Sequence, residues 1–110
     1  MIVEHRYVDF MNSLEREEFP YLEELERYAL DTEVPIIRKE MQSFLKTLLT
    51  MNKPRQILEV GTAIGFSALL MSEYMPEDGH ITTIEKYEKR IPLARENFEK
   101  NGKAEKITLI

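Results

Sequence analysis

The feature that most constrains the fold is the stretch Gln56-Ile57-Leu58-Glu59-Val60-Gly61-Thr62-Ala63-Ile64-Gly65-Phe66-Ser67. Ile57, Leu58 and Val60 make a short apolar run, the pattern of a parallel strand buried on both faces. Gly61 and Gly65 bracket a tight turn, and a nearly wholly apolar segment, residues 66 to 75, follows at helical length. Strand, glycine turn and buried helix open a βαβ unit, and open α/β sheets bind ligands outside the carboxyl ends of their strands. A ligand is therefore expected to meet residues 59 to 67.

The register limits what that ligand can be. A dinucleotide fingerprint places a middle glycine where the backbone approaches a pyrophosphate, and Ala63 stands there instead. No lysine follows Gly65, which excludes a P-loop. The carboxylate of Glu59 sits at the strand's end, where it repels a pyrophosphate and is costly to bury unpaired. It suits a ligand with a cationic end, such as the ammonium and sulfonium of S-adenosylmethionine. The ligand's own carboxylate then fits the free N–H groups that begin the helix at Phe66 and Ser67, with the Ser67 hydroxyl adding a hydrogen bond. Taken on glycine spacing alone, Gly61 and Gly65 read better as plain turn glycines and Glu59 as a solvated strand end.

A second acid alters that balance. Ile81-Thr82-Thr83-Ile84 reads as the next strand and ends in Glu85. The interval from Gly61 to Glu85 is close to the roughly 20 residues at which an acid meets ribose hydroxyls in nucleotide-binding βαβ units. A carboxylate can accept from both hydroxyls of a cis-diol. Two acids at consecutive strand ends are much harder to obtain by chance than one.

The run Leu58-Glu59-Val60-Gly61-Thr62-Ala63-Ile64-Gly65-Phe66-Ser67-Ala68, with Thr82-Thr83-Ile84-Glu85 after it, resembles class I S-adenosylmethionine-dependent methyltransferases. More narrowly it resembles the metal-dependent O-methyltransferases that act on catechol and caffeoyl-CoA. With Val34-Pro35-Ile36-Ile37 ahead of the strand, it is most similar to the bacterial branch that methylates 5-hydroxyuridine in tRNA. The likeness runs from residue 34 to residue 110. It implies cofactor contacts at Glu59, Gly61, Ala63, Gly65, Phe66, Ser67 and Glu85, and places Ile37 near the methionine part of the cofactor. Two apolar residues closing the core explain Ile36 and Ile37 equally well. The resemblance also implies a divalent metal, usually magnesium, that binds the acceptor hydroxyls and lowers their pKa. Its ligands come from later strands, and Glu88, Glu96, Glu99 and Glu105 do not match them, so no catalytic or metal residue is assigned.

The rest of the chain fits a single cytoplasmic domain. With 110 residues, 43% hydrophobic, a modest core is possible. The net charge of −5 argues against nonspecific nucleic-acid or membrane binding, and the absence of cysteine excludes disulfides and thiolate metal sites. Glu4, His5, Arg6 and Asp9 exclude a signal peptide or membrane span at the start. Val3, Tyr7, Phe10, Met11 and Leu14 predict a helix over residues 2 to 14. Leu22, Leu25 and Ala29 stripe a second helix that begins at Pro20 and runs to about residue 31. Ile37, Met41, Phe44, Leu45 and Leu48 give the inward stripe of a third, ending near residue 52. Arg6, Arg16, Arg27 and Arg38 offer a minority reading as an RNA-facing surface; solvated faces are the commoner case.

Beyond the turn at residues 76 to 79, His80 and His5 lack partners for base chemistry and read as surface residues. Residues 88 to 101 form a helix with Ile91, Ala94 and Phe98 inward and Gly102 as C′ residue, although Pro92 falls where it deletes a hydrogen bond. Lys86 and Tyr87 either flank an adenine ring or face solvent, and residues 106 to 110 read as a third strand. The expected fold is therefore α/β. It is the N-terminal half of a doubly wound Rossmann-like sheet, parallel and ordered 3-2-1, preceded by a helical leader. Residues 1–52 are the leader with the first helix of the fold, and residues 53–110 the S-adenosylmethionine-binding βαβαβ half-domain.

The chain reads as the first half of an O-methyltransferase that is inactive alone. If the chain stands alone, its uncovered β1 edge predicts a homodimer or strand exchange. Its acceptor is tRNA or a small catechol-like hydroxyl compound. Two other classes stay open: a nicotinamide-dependent dehydrogenase half-domain, against which Ala63 speaks, and a non-catalytic helical interaction module led by residues 1 to 52.

Overall fold

The computed structural model describes Arg6 and residues 19–110. The expected helix over residues 2 to 14, Arg6 apart, lies outside the described residues, as does Arg16. In chain order the described elements are α1 (Pro20–Asp31), α2 (Lys39–Asn52), β1 (Gln56–Val60) and α3 (Phe66–Tyr74). After them come β2 (His80–Ile84), a 3-10 turn (Glu88–Arg90), α4 (Ile91–Lys100) and β3 (Ile107–Leu109). The strands are parallel in the order β1-β2-β3, the half-sheet that right-handed crossovers produce.

Register decides which side chains share a face. Glu59 pairs with Thr83 and Val60 with Ile84, while Ile81 pairs with Ile107 and Thr83 with Leu109. Strand alternation puts Ile57, Glu59, Ile81, Thr83, Ile107 and Leu109 on one side, and α3 and α4 pack against it. On the other side Leu58 is 67% exposed, Val60 82% and Ile84 37%. The expectation that β1 is buried on both faces is thus corrected: among the described residues it is covered on one. The cause is topological. Both crossovers step the same way with the same hand, so both helices fall on the same side.

The helices follow their apolar stripes with one exception. Pro20 begins α1, and Leu22, Leu25 and Ala29 are buried beneath it as expected. Phe66, Ala68, Leu69, Leu70, Met71 and Ser72 of α3 are buried, so this helix is enclosed nearly all round. Each fully buried Leu there contributes about 1.5–3 kcal/mol of burial free energy. In α2 the inward residues are Gln42 and Leu49, whereas Met41, Phe44 and Leu48 of the expected stripe stay exposed. This helix carries two apolar stripes, and periodicity could not say which one would meet α3.

At the far end, Pro92 costs less than expected. A 3-10 turn occupies Glu88–Arg90 and the α-helix starts only at Ile91, so Pro92 stands in its first turn, where its N–H is not needed. Gly102 (φ 73°) closes α4: its N–H donates to Glu99 O at 3.1 Å, and that of Lys103 to Phe98 O at 2.8 Å. These are the two bonds of a Schellman cap. Tyr21 of α1 donates to Glu73 of α3 at 2.6 Å, and Lys103 pairs with the same carboxylate at 3.1 Å, which ties α1, α3 and the α4–β3 turn together.

Candidate functional site

The site begins with how the chain leaves β1. Gly61 (φ 98°), Ala63 (φ 50°) and Gly65 (φ 94°) all adopt left-handed backbone, which only the glycines accept without strain. The turn is tethered to β2, with Gly61 N and Thr62 N donating to Ile84 O at 2.8 and 3.2 Å. Gly65 N donates back to Thr62 O at 2.9 Å. From the other side, Asn97 of α4 donates to Ile64 O at 2.7 Å. No side chain caps the N-terminus of α3 at Gly65, so the turn delivers uncapped first-turn donors beside the strand tips.

Glu59 lies half-buried on the helix-covered side of β1. Its Oε1 accepts from Thr83 Oγ1 at 2.7 Å, and its Oε2 accepts a short hydrogen bond from Ser67 Oγ. Burial pushes its carboxyl above the ordinary carboxylate range; the two hydroxyl donors pull it back in part, and the nearby charge of Glu85 raises it slightly further. Among the described residues no cation pairs with Glu59. A half-buried carboxylate with hydroxyl partners only is a ready counter-charge for a cation.

Glu85 sits on the opposite rim of the same turn. Its Oε1 accepts from Ala63 N at 2.7 Å and its Oε2 from Tyr87 N at 2.8 Å. The Tyr87 amide bond, ahead of the cost of burial and the Ala63 bond, holds its carboxyl below the ordinary range, with Arg90 helping. Glu85 is therefore ionised at neutral pH. Each oxygen keeps a lone pair, enough to accept from a vicinal diol.

Six of the sequence candidates thus surround one turn with the two acids on its flanks: Gly61, Ala63, Gly65 and Ser67, with Glu59 and Glu85. Phe66, the seventh, is buried and opens α3. Ser67 donates to Glu59, so its proton is engaged there. Ile37 lines a cavity of about 410 Å³ with Ile36, Arg38, Glu40, Met41 and Phe44, none of them a turn residue. Lys86 and Tyr87 face solvent, with Arg90 stacked 5.2 Å from the Tyr87 ring.

Sequence reasoning missed Thr62 and Thr83, whose hydroxyls meet at 2.7 Å beneath Glu59. Threonine is an ordinary strand former, and only its phase with Glu85 on β2 hinted at a shared face. His80, expected to lack partners for base chemistry, shares a 2.7 Å hydrogen bond with Thr108 at the surface. No described helix is long and apolar enough to cross a membrane.

Comparison with known proteins agrees with this geometry. A family model described as O-methyltransferase matches residues 12–110. A protein-L-isoaspartate O-methyltransferase of Methanococcoides burtonii is 31% identical over 87 residues, covering 73% of this chain and 43% of that protein. A candidate caffeoyl-CoA O-methyltransferase from Staphylococcus aureus superposes with a TM-score of 0.81 at 30% identity, over 96% of this chain and 48% of that one. The methyltransferase PaMTH1 of Podospora anserina, solved with S-adenosylhomocysteine bound, gives a TM-score of 0.85 at 25% identity over 100% of this chain and 51% of that one. The chain thus spans about half the length of the relatives it matches.

Proposed function

The chain belongs to the O-methyltransferase family, and on that premise we propose that it carries the S-adenosylmethionine-binding half of an enzyme that methylates a hydroxyl group. The observation that carries this reading is the placement of Glu59 and Glu85 on the two flanks of one glycine turn, Glu85 held to it through Ala63 N and Glu59 held to the first turn of α3 and to β2 through Ser67 and Thr83. Glu59 meets the cationic amino-acid end, Glu85 accepts from the ribose diol, and the uncapped start of α3 receives the carboxylate. Gly61, Ala63 and Gly65 let the backbone come close, and Ile37 borders the methionine end. On this reading residues 53–110 make up the half-domain, and residues 1–52 comprise its leader together with the first helix of the fold.

When bound, the donor supplies an electrophilic methyl group for in-line attack by the acceptor oxygen. This chain's share of the work is positioning. The acceptor we favour is the hydroxyl of 5-hydroxyuridine in tRNA, supported by the run from Val34 to Ser67; a small catechol-like compound is the alternative acceptor. Magnesium belongs to this reading of the whole enzyme. Among the described residues no three His, Asp or Glu side chains are grouped to hold it. The enzyme is read as cytoplasmic and this chain alone as inactive; standing alone, the chain is read as pairing with a second copy along the open edge of β1, which also leaves Leu58 and Val60 of the adjoining face exposed.

Calorimetric titration with S-adenosylmethionine, S-adenosylhomocysteine and a nicotinamide dinucleotide tests the reading. Both adenosyl ligands should bind and the dinucleotide should not. Replacing Glu85 with Ala should weaken adenosyl binding about tenfold or more, the scale of a hydrogen bond to a charged group. Undiminished binding by Glu85→Ala, or preference for the dinucleotide, would refute it.

A further inference from the structure

Below the acid at the tip of β1 lies a chain of hydroxyls whose direction can be deduced. Thr83 is fully buried and Thr62 is 1% exposed, so neither hydroxyl can turn to bulk water. A threonine hydroxyl has one proton to give. Thr83 gives its proton to Glu59 Oε1, and must therefore accept in its 2.7 Å contact with Thr62. The bonds consequently run from Thr62 to Thr83 to Glu59, while Ser67 donates to the other carboxylate oxygen. Each oxygen of Glu59 is thus held by one hydroxyl, which fixes the plane of the carboxylate and leaves a lone pair on each oxygen for a ligand.

We propose that Thr83 is a positioning residue: it couples the Glu59 carboxylate, through Thr62, to the fixed glycine turn and so presents the acid to the cationic end of the cofactor. The inference rests on the S-adenosylmethionine reading above. A valine at position 83 would fill the same volume and favour a strand equally well, so packing alone does not call for the hydroxyl. The only described partners of that hydroxyl are the acid and Thr62. Three elements face Glu59: Ser67 from α3, Thr83 from β2, and Glu85, the ionisable neighbour, from beyond β2.

The test compares Thr83→Val and Thr83→Ser with the unaltered chain by two readouts. One is the titration midpoint of the Glu59 carboxyl followed by NMR. The other is the affinity for S-adenosylmethionine and S-adenosylhomocysteine from acid to mildly basic pH. Loss of a donor should move the Glu59 midpoint of Thr83→Val to higher pH. Its cofactor affinity should fall about tenfold, and the pH profile of binding should shift the same way. Thr83→Ser, which keeps the hydroxyl, should restore all three. A Thr83→Val protein that is merely less stable, with midpoint and affinity unmoved, would overturn the proposal. If that variant does not fold, Thr62→Val cuts the chain one link further out and should shift the midpoint in the same direction by less; an unmoved midpoint there again overturns it. Should the unaltered chain bind neither ligand, the cofactor reading falls. The Glu59 midpoint in Thr83→Val still decides whether Thr83 positions the acid.

Discussion

Phe98 packs against Gly65 so closely that a β-carbon on the glycine would lie 2.6 Å from ring atom Cε1. That contact joins α4 to the start of α3, and it coincides with a left-handed φ of 94°. Gly65→Ala therefore meets both strain and overlap, and should destabilise the fold by about 2–4 kcal/mol. Urea denaturation followed by circular dichroism measures this directly. A loss of only about 1–2 kcal/mol would mean that the ring moves aside and the left-handed strain alone remains, and a loss of less than about half a kcal/mol would contradict both effects.

Ala63 presents the reverse case. It holds a φ of 50° without being glycine, and its N–H is bound to Glu85 at 2.7 Å. Ala63→Gly relieves the left-handed penalty at the expense of a looser unfolded chain, for a net gain of about 0.5–1 kcal/mol. The same denaturation experiment should show a raised midpoint with an unchanged slope.

The two acids give opposite pH signatures. Burial raises the Glu59 carboxyl, so its contribution to stability is present below the ordinary carboxylate range and is lost as pH rises through its own elevated value. Glu59→Gln should accordingly melt higher than the unaltered chain at neutral pH, with the gap closing in acid. Glu85, held low first by the Tyr87 N–H, contributes above the ordinary range and loses that contribution as pH falls through its depressed value. Melting curves of Glu85→Gln should therefore converge with those of the unaltered chain only in strong acid.

Ligand affinity should follow Glu59 in the other sense. A cation prefers the ionised acid, so binding of S-adenosylmethionine should strengthen as pH rises through the elevated Glu59 value and then level off. In Glu59→Gln it should be about tenfold weaker or more, and flat with pH. A pH-dependent profile in that variant would assign the titration to another group.

Tyr21 offers a test away from the site. Its hydroxyl donates to Glu73 at 2.6 Å, and Glu73 also pairs with Lys103 at 3.1 Å. Tyr21→Phe should cost about 1–2 kcal/mol, because a largely buried carboxylate loses a donor while keeping its cation. Cofactor affinity, measured alongside, should stay within twofold, roughly the scatter expected for distant sites.

Much of this protein was written along the chain. The apolar run ending in Glu59, the glycines at 61 and 65 and the acid at 85 were enough to place β1, α3 and β2, because each rests on contacts only a few residues apart. The stripe Leu22, Leu25, Ala29 gave the inner face of α1 for the same reason, and Gly102 its cap on α4. Periodicity failed where a segment had two plausible partners. Met41, Phe44 and Leu48 looked like the inner face of α2, yet Gln42 and Leu49 hold that place. Leu58 and Val60 looked doubly buried, yet the shared hand of both crossovers left them open.

Only the tertiary structure decided what surrounds the two acids. That Thr83 stands opposite Glu59 depends on strand register, and that Ala63 N reaches Glu85 depends on how the turn folds over β2. Register and turn direction arise from packing between segments more than twenty residues apart, and local sequence does not encode such distances. Residue identities alone therefore told which charges the site holds; the assembled sheet settled where those charges point and what holds them there.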